Sequence, residues 1–150
     1  MTEMTRRGFL GAVAAGASLA LVPVRSEASP EEVVAAIETL FGNREITEGR
    51  VTLKVPPISE NGYSVPLTVS VDSPMTPEDF VSRIAIFAEE NPLPEVARFE
   101  LGPRAGRAEV QTRFRMGSSQ RIRAVAEMSD GSLWGTSTFS IVTLAACVVE

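Results

Sequence analysis

The chain of 150 residues holds one cysteine and no histidine, and those two counts bound the chemistry its side chains could do. Cys147 lies in Leu144-Ala145-Ala146-Cys147-Val148-Val149-Glu150, the fourth residue from the end of the sequence. As a thiolate it is a nucleophile and a carrier of covalent adducts. No imidazole exists to activate it, to shuttle a proton or to ligate a metal. A lone cysteine can build neither a multi-cysteine zinc cage nor an intrachain disulfide. The one lysine, Lys54, is the sole candidate to activate a serine, and nothing in the sequence places it beside one. The thiol therefore reads as a hook that other enzymes act on, with no catalytic residue, metal ligand or cofactor site in this chain. The competing reading is a small apolar residue in a buried last strand. Against that, terminal residues are usually loose and Ala145-Ala146 offers little bulk to bury. Glu150 and the terminal carboxylate place negative charge near the sulfur, which raises the thiol pKa.

A second group is cationic. Arg113 and Arg115 precede Gly117-Ser118-Ser119, and Arg121 and Arg123 follow it. A hairpin centred on Ser118 would set Arg115 opposite Arg121 and Arg113 opposite Arg123, with Phe114 and Ile122 facing the core. Like charges across a ladder repel, so such a face would call for an acidic partner or a bound anion. The alternative is a solvated face softened by Glu109 and Glu127, or a different register.

The elements that must position these groups follow from the patterning. Composition is that of one globular domain, 44% hydrophobic and 22% charged. The net charge of −5 argues against nucleic acid as a partner. Ser29-Pro30-Glu31-Glu32 opens a helix whose apolar stripe is Val33, Val34, Ile37, Leu40 and Phe41, stopped by Gly42. Residues 50–55 alternate as a strand, and so do 63–71. Pro66 within the second run marks an edge strand or bulge. Asn61-Gly62 signals a turn. Thr76-Pro77-Glu78-Asp79 looks like a helical start, and 81–88 fits either helix or strand. Strands are expected over 96–101, 108–116 and 120–128, with a tight hairpin at Asp130-Gly131 and a last apolar run over 138–149. Short strands at regular spacing behind one helix predict a mainly β protein, a β-sandwich.

The first segment reads as an address. Arg6-Arg7 stand before an apolar stretch, Phe9 to Val22, that is too short and too glycine-rich to span a membrane. This looks like a twin-arginine signal peptide over 1–28, cleaved near Ser26-Glu27-Ala28, which implies a periplasmic location. The organisation expected is a signal over 1–28, one domain over 29–142 and a tail over 143–150 bearing Cys147. No membrane association is expected once the signal is removed. An exported protein with one unpaired thiol suggests an intermolecular bond or a working sulfur.

Four stretches carry a family resemblance. They are Glu60-Asn61-Gly62-Tyr63-Ser64-Val65-Pro66, Ile86-Phe87-Ala88-Glu89-Glu90-Asn91-Pro92, Ala126-Glu127-Met128-Ser129-Asp130-Gly131-Ser132, and Val142-Thr143-Leu144 leading to a near-terminal cysteine. In this order they resemble SoxY, the family of sulfur carriers in periplasmic thiosulfate oxidation. The resemblance implies an immunoglobulin-like β-sandwich that pairs with a SoxZ-like subunit as a heterodimer. It implies that Cys147 is the attachment point for thiosulfate-derived sulfur. A SoxXA-like haem enzyme would load that sulfur, a SoxB-like hydrolase would release sulfate, and a SoxCD-like dehydrogenase, where present, would oxidise the remainder. One departure stands out. The usual ending Gly-Gly-Cys-Gly-Gly is replaced here by alanines and β-branched valines, which are bulkier and stiffer. An alternative function from a different class is a non-catalytic interaction subunit of another periplasmic redox enzyme, with Cys147 merely structural.

Overall fold

The computed structural model describes residues 28–146. Helix α1 (Pro30–Phe41) forms where the sequence supplies its cap. Ser29 Oγ accepts the Glu32 N–H at 3.2 Å, and the Glu32 carboxylate accepts the Ser29 N–H at 3.0 Å. The two bonds satisfy two of the donors that every helix start leaves open. Gly42 ends the helix at φ +76°, donating its N–H to Glu38 O. Val33, Ile37 and Phe41 form the buried stripe, and Val34 stays on the exposed side.

Nine strands follow: β1 (Ile46–Glu48), β2 (Val51–Lys54), β3 (Ile58–Ser59), β4 (Val65–Val71), β5 (Val81–Ala88), β6 (Glu95–Glu100), β7 (Glu109–Phe114), β8 (Gln120–Met128) and β9 (Leu133–Val142). The larger sheet runs β1-β9-β8-β5-β6, with β3 also paired to β9, and the smaller runs β2-β4-β7. Val65, Leu67 and Val69 of the small sheet meet Ile84, Ile86, Ile122, Ala124 and Ala126 of the large one, so the main core lies between the sheets. On the other face of the large sheet, Val33, Ile37 and Phe41 of α1 cover Ala85, Phe87, Val125 and Leu133. Arg44 fastens the end of the helix, donating to Phe41 O, Gly131 O and the Glu127 carboxylate.

This layering resolves the ambiguous segment. Residues 81–88 form a strand buried by the sandwich on one face and by α1 on the other, so its apolar run is nearly continuous. Two expectations are corrected. Thr76-Pro77-Glu78-Asp79 starts no helix. The Thr76 N–H donates to Asp79 O and its hydroxyl accepts the Asp79 N–H, closing a local loop that feeds β5. The strand bearing Pro66 is the middle of the small sheet. It tolerates proline because β2 pairs only with Val71 back to Thr68, leaving the flank at Pro66 uncovered on that side.

The Asp130-Gly131 hairpin forms as expected between β8 and β9, with Gly131 at φ +84°. The Asp130 carboxylate accepts from the Ser132 hydroxyl at 2.6 Å and the Ser132 N–H at 2.8 Å. Those bonds, the hydroxyl's first, hold its pKa below the ordinary 3.8. A carboxyl with a depressed folded-state pKa stabilises the fold fully above its unfolded value, and that support is lost as pH falls through the lowered one. An NMR titration should place the Asp130 midpoint below 3.8, and Ser132→Ala should move it back up.

Candidate functional site

The site is built around the segment that leads to Cys147. β9 ends at Val142, and the chain then crosses the mouth of the loop between β3 and β4. Thr143 donates its N–H to Ser59 O at 3.0 Å and its hydroxyl to Glu60 O at 3.2 Å. Gly62 donates to Leu144 O at 2.8 Å. Ala146 donates to Met116 O at 2.9 Å, and Met116 donates to Gly62 O at 2.8 Å. The Ala146 and Met116 side chains are buried, while Tyr63 and Leu144 stand exposed on either side. The last residue before the thiol is thus fixed to the body of the sandwich. Cys147 itself lies outside the described residues, as do residues 1–27 of the segment read as a signal peptide.

Met116 is held from behind by a buried polar network. Asn91 Nδ2 donates to Arg115 O at 2.8 Å, and its Oδ1 accepts from Gly117 N–H at 3.2 Å and from Gln120 Nε2 at 2.9 Å. Gln120 Oε1 in turn accepts the Glu90 N–H at 2.8 Å. Gln120 is 1% exposed and Asn91 8%, so these bonds satisfy polar groups that water does not reach.

The arginine face requires a correction. Phe114 and Ile122 do both enter the core, but β7 pairs with β4 and β8 pairs with β5 and β9. The link between β7 and β8 therefore passes from one sheet to the other, and no β7–β8 ladder exists to bring the arginines together. Arg113 and Arg115 project outward from the small sheet, and Arg121 and Arg123 from the opposite side of the large one. Each pair has its own surroundings. Arg113 donates to Ser64, and Arg121 to Ser137 Oγ. Arg123 pairs with the nearly buried Glu89 at 2.9 Å. Among the described residues, Glu127 is held by Arg44 and Arg83, not by these arginines.

An open groove of about 440 Å³ runs between the edge strands β6 and β7, with Leu93, Glu95, Arg113 and Arg115 on its walls. Among the described residues no group of His, Cys, Asp or Glu converges as a metal site, and no helix is long and apolar enough to cross a membrane. In the sequence Gly62 reads as a turn residue and Gln120 carries no signal, while Asn91 and Gly62 both fall within the family-like stretches.

The fold and site define a class: a small β-sandwich whose chain is pinned to its body up to Ala146, the residue that precedes its single cysteine. The family described as sulfur oxidation protein SoxY matches residues 37–147, and the chain belongs to it. The structure of the sulfur carrier protein SoxY from Chlorobium limicola f thiosulfatophilum is similar, with a TM-score of 0.65 and 32% identity, covering 77% of this chain and 100% of that one. Two other solved structures share the fold alone. A putative superoxide reductase from Thermotoga maritima has a TM-score of 0.54 at 23% identity, covering 65% of this chain and 87% of its own. The superoxide reductase (neelaredoxin) of Ignicoccus hospitalis has a TM-score of 0.55 at 15% identity, covering 77% and 94%. No curated protein sequence matches the chain at a significant level.

Proposed function

We propose that this chain is the covalent sulfur carrier of a thiosulfate-oxidation system, with Cys147 as the attachment residue. The observation that carries the reading is the family match, which extends to residue 147, the only cysteine of the chain. In loading, the Cys147 thiol and the sulfane sulfur of thiosulfate form an S–S bond. Two electrons leave to a haem-type oxidant on a partner enzyme, and the thiol proton goes to solvent. Hydrolysis then breaks the bond between the sulfane sulfur and the sulfonate. Water supplies the oxygen, sulfate departs and a persulfide remains on Cys147. The chain supplies the sulfur and its position, and the partner enzymes supply the chemistry, so it is not itself a catalyst.

The partners of this reading are a SoxZ-like subunit, bound stably, and loading and hydrolytic enzymes of the SoxXA and SoxB type, bound transiently, with a SoxCD-type dehydrogenase where one is present. The compartment is the periplasm, reached through the twin-arginine segment at Arg6-Arg7. Arg113 and Arg115 on one face and Arg121 on the other are separate candidate docking points for acidic surfaces or anions.

The test is the intact mass of the mature protein, purified with its partner from cells given thiosulfate, beside a Cys147→Ser control. Sulfur, sulfonate or thiosulfonate adducts on the wild type alone are the expected result. A bare thiol in cells whose loading enzyme is active overturns the reading and leaves an interaction subunit with an unused cysteine.

A further inference from the structure

The space at Gly62 has a consequence for the thiol. A Cβ built on this residue would stand 2.6 Å from Met116 O, 2.8 Å from Ala146 N and 3.0 Å from Leu144 O. All three atoms are backbone, so no side-chain rotation relieves the contact. The φ of Gly62 lies outside the left-handed region, so glycine is required here for close approach and not for a special backbone conformation. Gly62 also bonds both neighbours it admits, accepting from Met116 and donating to Leu144 O. A single residue therefore closes the clamp that holds residues 144–146.

We infer that Gly62 is a positioning residue that meters how far Cys147 can reach from the body of the protein; this rests on the carrier reading given above. With the clamp closed, Ala146 is held against the body, and Cys147 follows one peptide unit later, about 3.8 Å between Cα atoms. With the clamp open, the tether begins near Thr143. Three more residues are then released from the body and add up to about 10 Å of reach. A short tether obliges any enzyme that works on the sulfur to meet the protein body beside it, where Tyr63 and Leu144 are exposed. The surface around the clamp thus becomes part of what a processing enzyme recognises.

The experiment compares a polyethylene-glycol maleimide with N-ethylmaleimide on the mature chain in complex with its partner. Three proteins are used: the wild type, Gly62→Ala, and a wild-type clamp with three glycines inserted between Ala146 and Cys147. Labelling by the small reagent should agree across the three within about twofold, because thiolate chemistry is unchanged. The ratio of bulky to small labelling should rise about tenfold in Gly62→Ala and by a similar factor in the insertion, since both lengthen the free tether. Hydrogen exchange at the Ala146 amide should accelerate about a hundredfold in Gly62→Ala alone. A merely structural role for Gly62 would leave the ratio of bulky to small labelling unchanged in a folded Gly62→Ala.

The proposal is overturned if the Ala146 amide exchanges no faster in Gly62→Ala. It is also overturned if exchange accelerates while the labelling ratio stays put, or if the insertion leaves the ratio unchanged. The insertion keeps Gly62 and tests, even where Gly62→Ala fails to fold, whether the length of chain beyond Ala146 limits labelling; if it does not, the proposal falls. Labelling needs no thiosulfate, so a failure of the carrier reading in the mass experiment and a failure of the clamp are told apart.

Discussion

Cys147→Ser should bring thiosulfate-dependent electron release by a reconstituted system down to the level measured without this chain, a loss of more than about a thousandfold. The size of the effect follows from the residue inventory. A serine hydroxyl stays protonated at neutral pH, and the chain has no histidine to take its proton. No second cysteine can substitute. Methionine sulfur carries no exchangeable proton and cannot form the S–S bond. The measurement is cytochrome reduction with purified loading and hydrolytic enzymes, and circular dichroism should show the variant folded. Residual turnover above a few per cent would place the carrier sulfur on another protein.

Asn91→Leu should cost about 3 kcal/mol, lowering the melting temperature by roughly 10 °C. Leucine is of similar size, so the loss comes from unmet hydrogen bonds more than from a cavity. The Gly117 N–H, Arg115 O and Gln120 Nε2 would each lose the partner that Asn91 provides. Gln120 keeps a long contact to Ser118 O at 3.3 Å, so its loss is incomplete. Asn91→Asp keeps the acceptor for Gly117 and Gln120 but turns a carboxylate oxygen towards Arg115 O and buries a charge, so a drop in melting temperature is expected for it as well at neutral pH. Equal melting temperatures for wild type and Asn91→Leu would show that the network is satisfied by water. The same substitution loosens Met116 from behind, so the segment ending at Ala146 should exchange its amide protons faster.

Local signals in the sequence translated directly into structure. Ser29-Pro30-Glu31-Glu32 is a capping box in sequence and in space, and Asp130-Gly131 is a hairpin in both. The mainly β reading and the strand at 120–128 hold for the same reason, since alternation of apolar residues reports a half-buried ladder. Pairing was less legible. Adjacency in sequence suggested that 108–116 and 120–128 form one hairpin, yet the short Gly117-Ser118-Ser119 link joins two different sheets. Nothing in a two-residue period says which neighbour a strand will choose. The segment 81–88 was equivocal because it is covered on both faces, which erases the alternation that identifies strands. The single cysteine stands out in the sequence by its uniqueness, and it lies outside the described residues. The clamp does not, because Gly62 acts through backbone atoms of residues 54 to 84 positions away, and a turn signal and a close-approach glycine are written with the same letter.

The placement of β9 also governs the order in which the protein can assemble. β1 pairs with Leu133–Gly135 of β9, and β3 with Ile141–Val142 of the same strand, both in parallel. Two of the first three strands described therefore wait for the last of them before they gain a partner. Such long loops close slowly and at an entropic cost that only late contacts repay. A chain truncated before residue 133 would keep the β2-β4-β7 sheet and much of the apolar core but would strand both early segments. The large sheet can be completed only after β9, the strand that leads directly into the thiol's anchor, has been made.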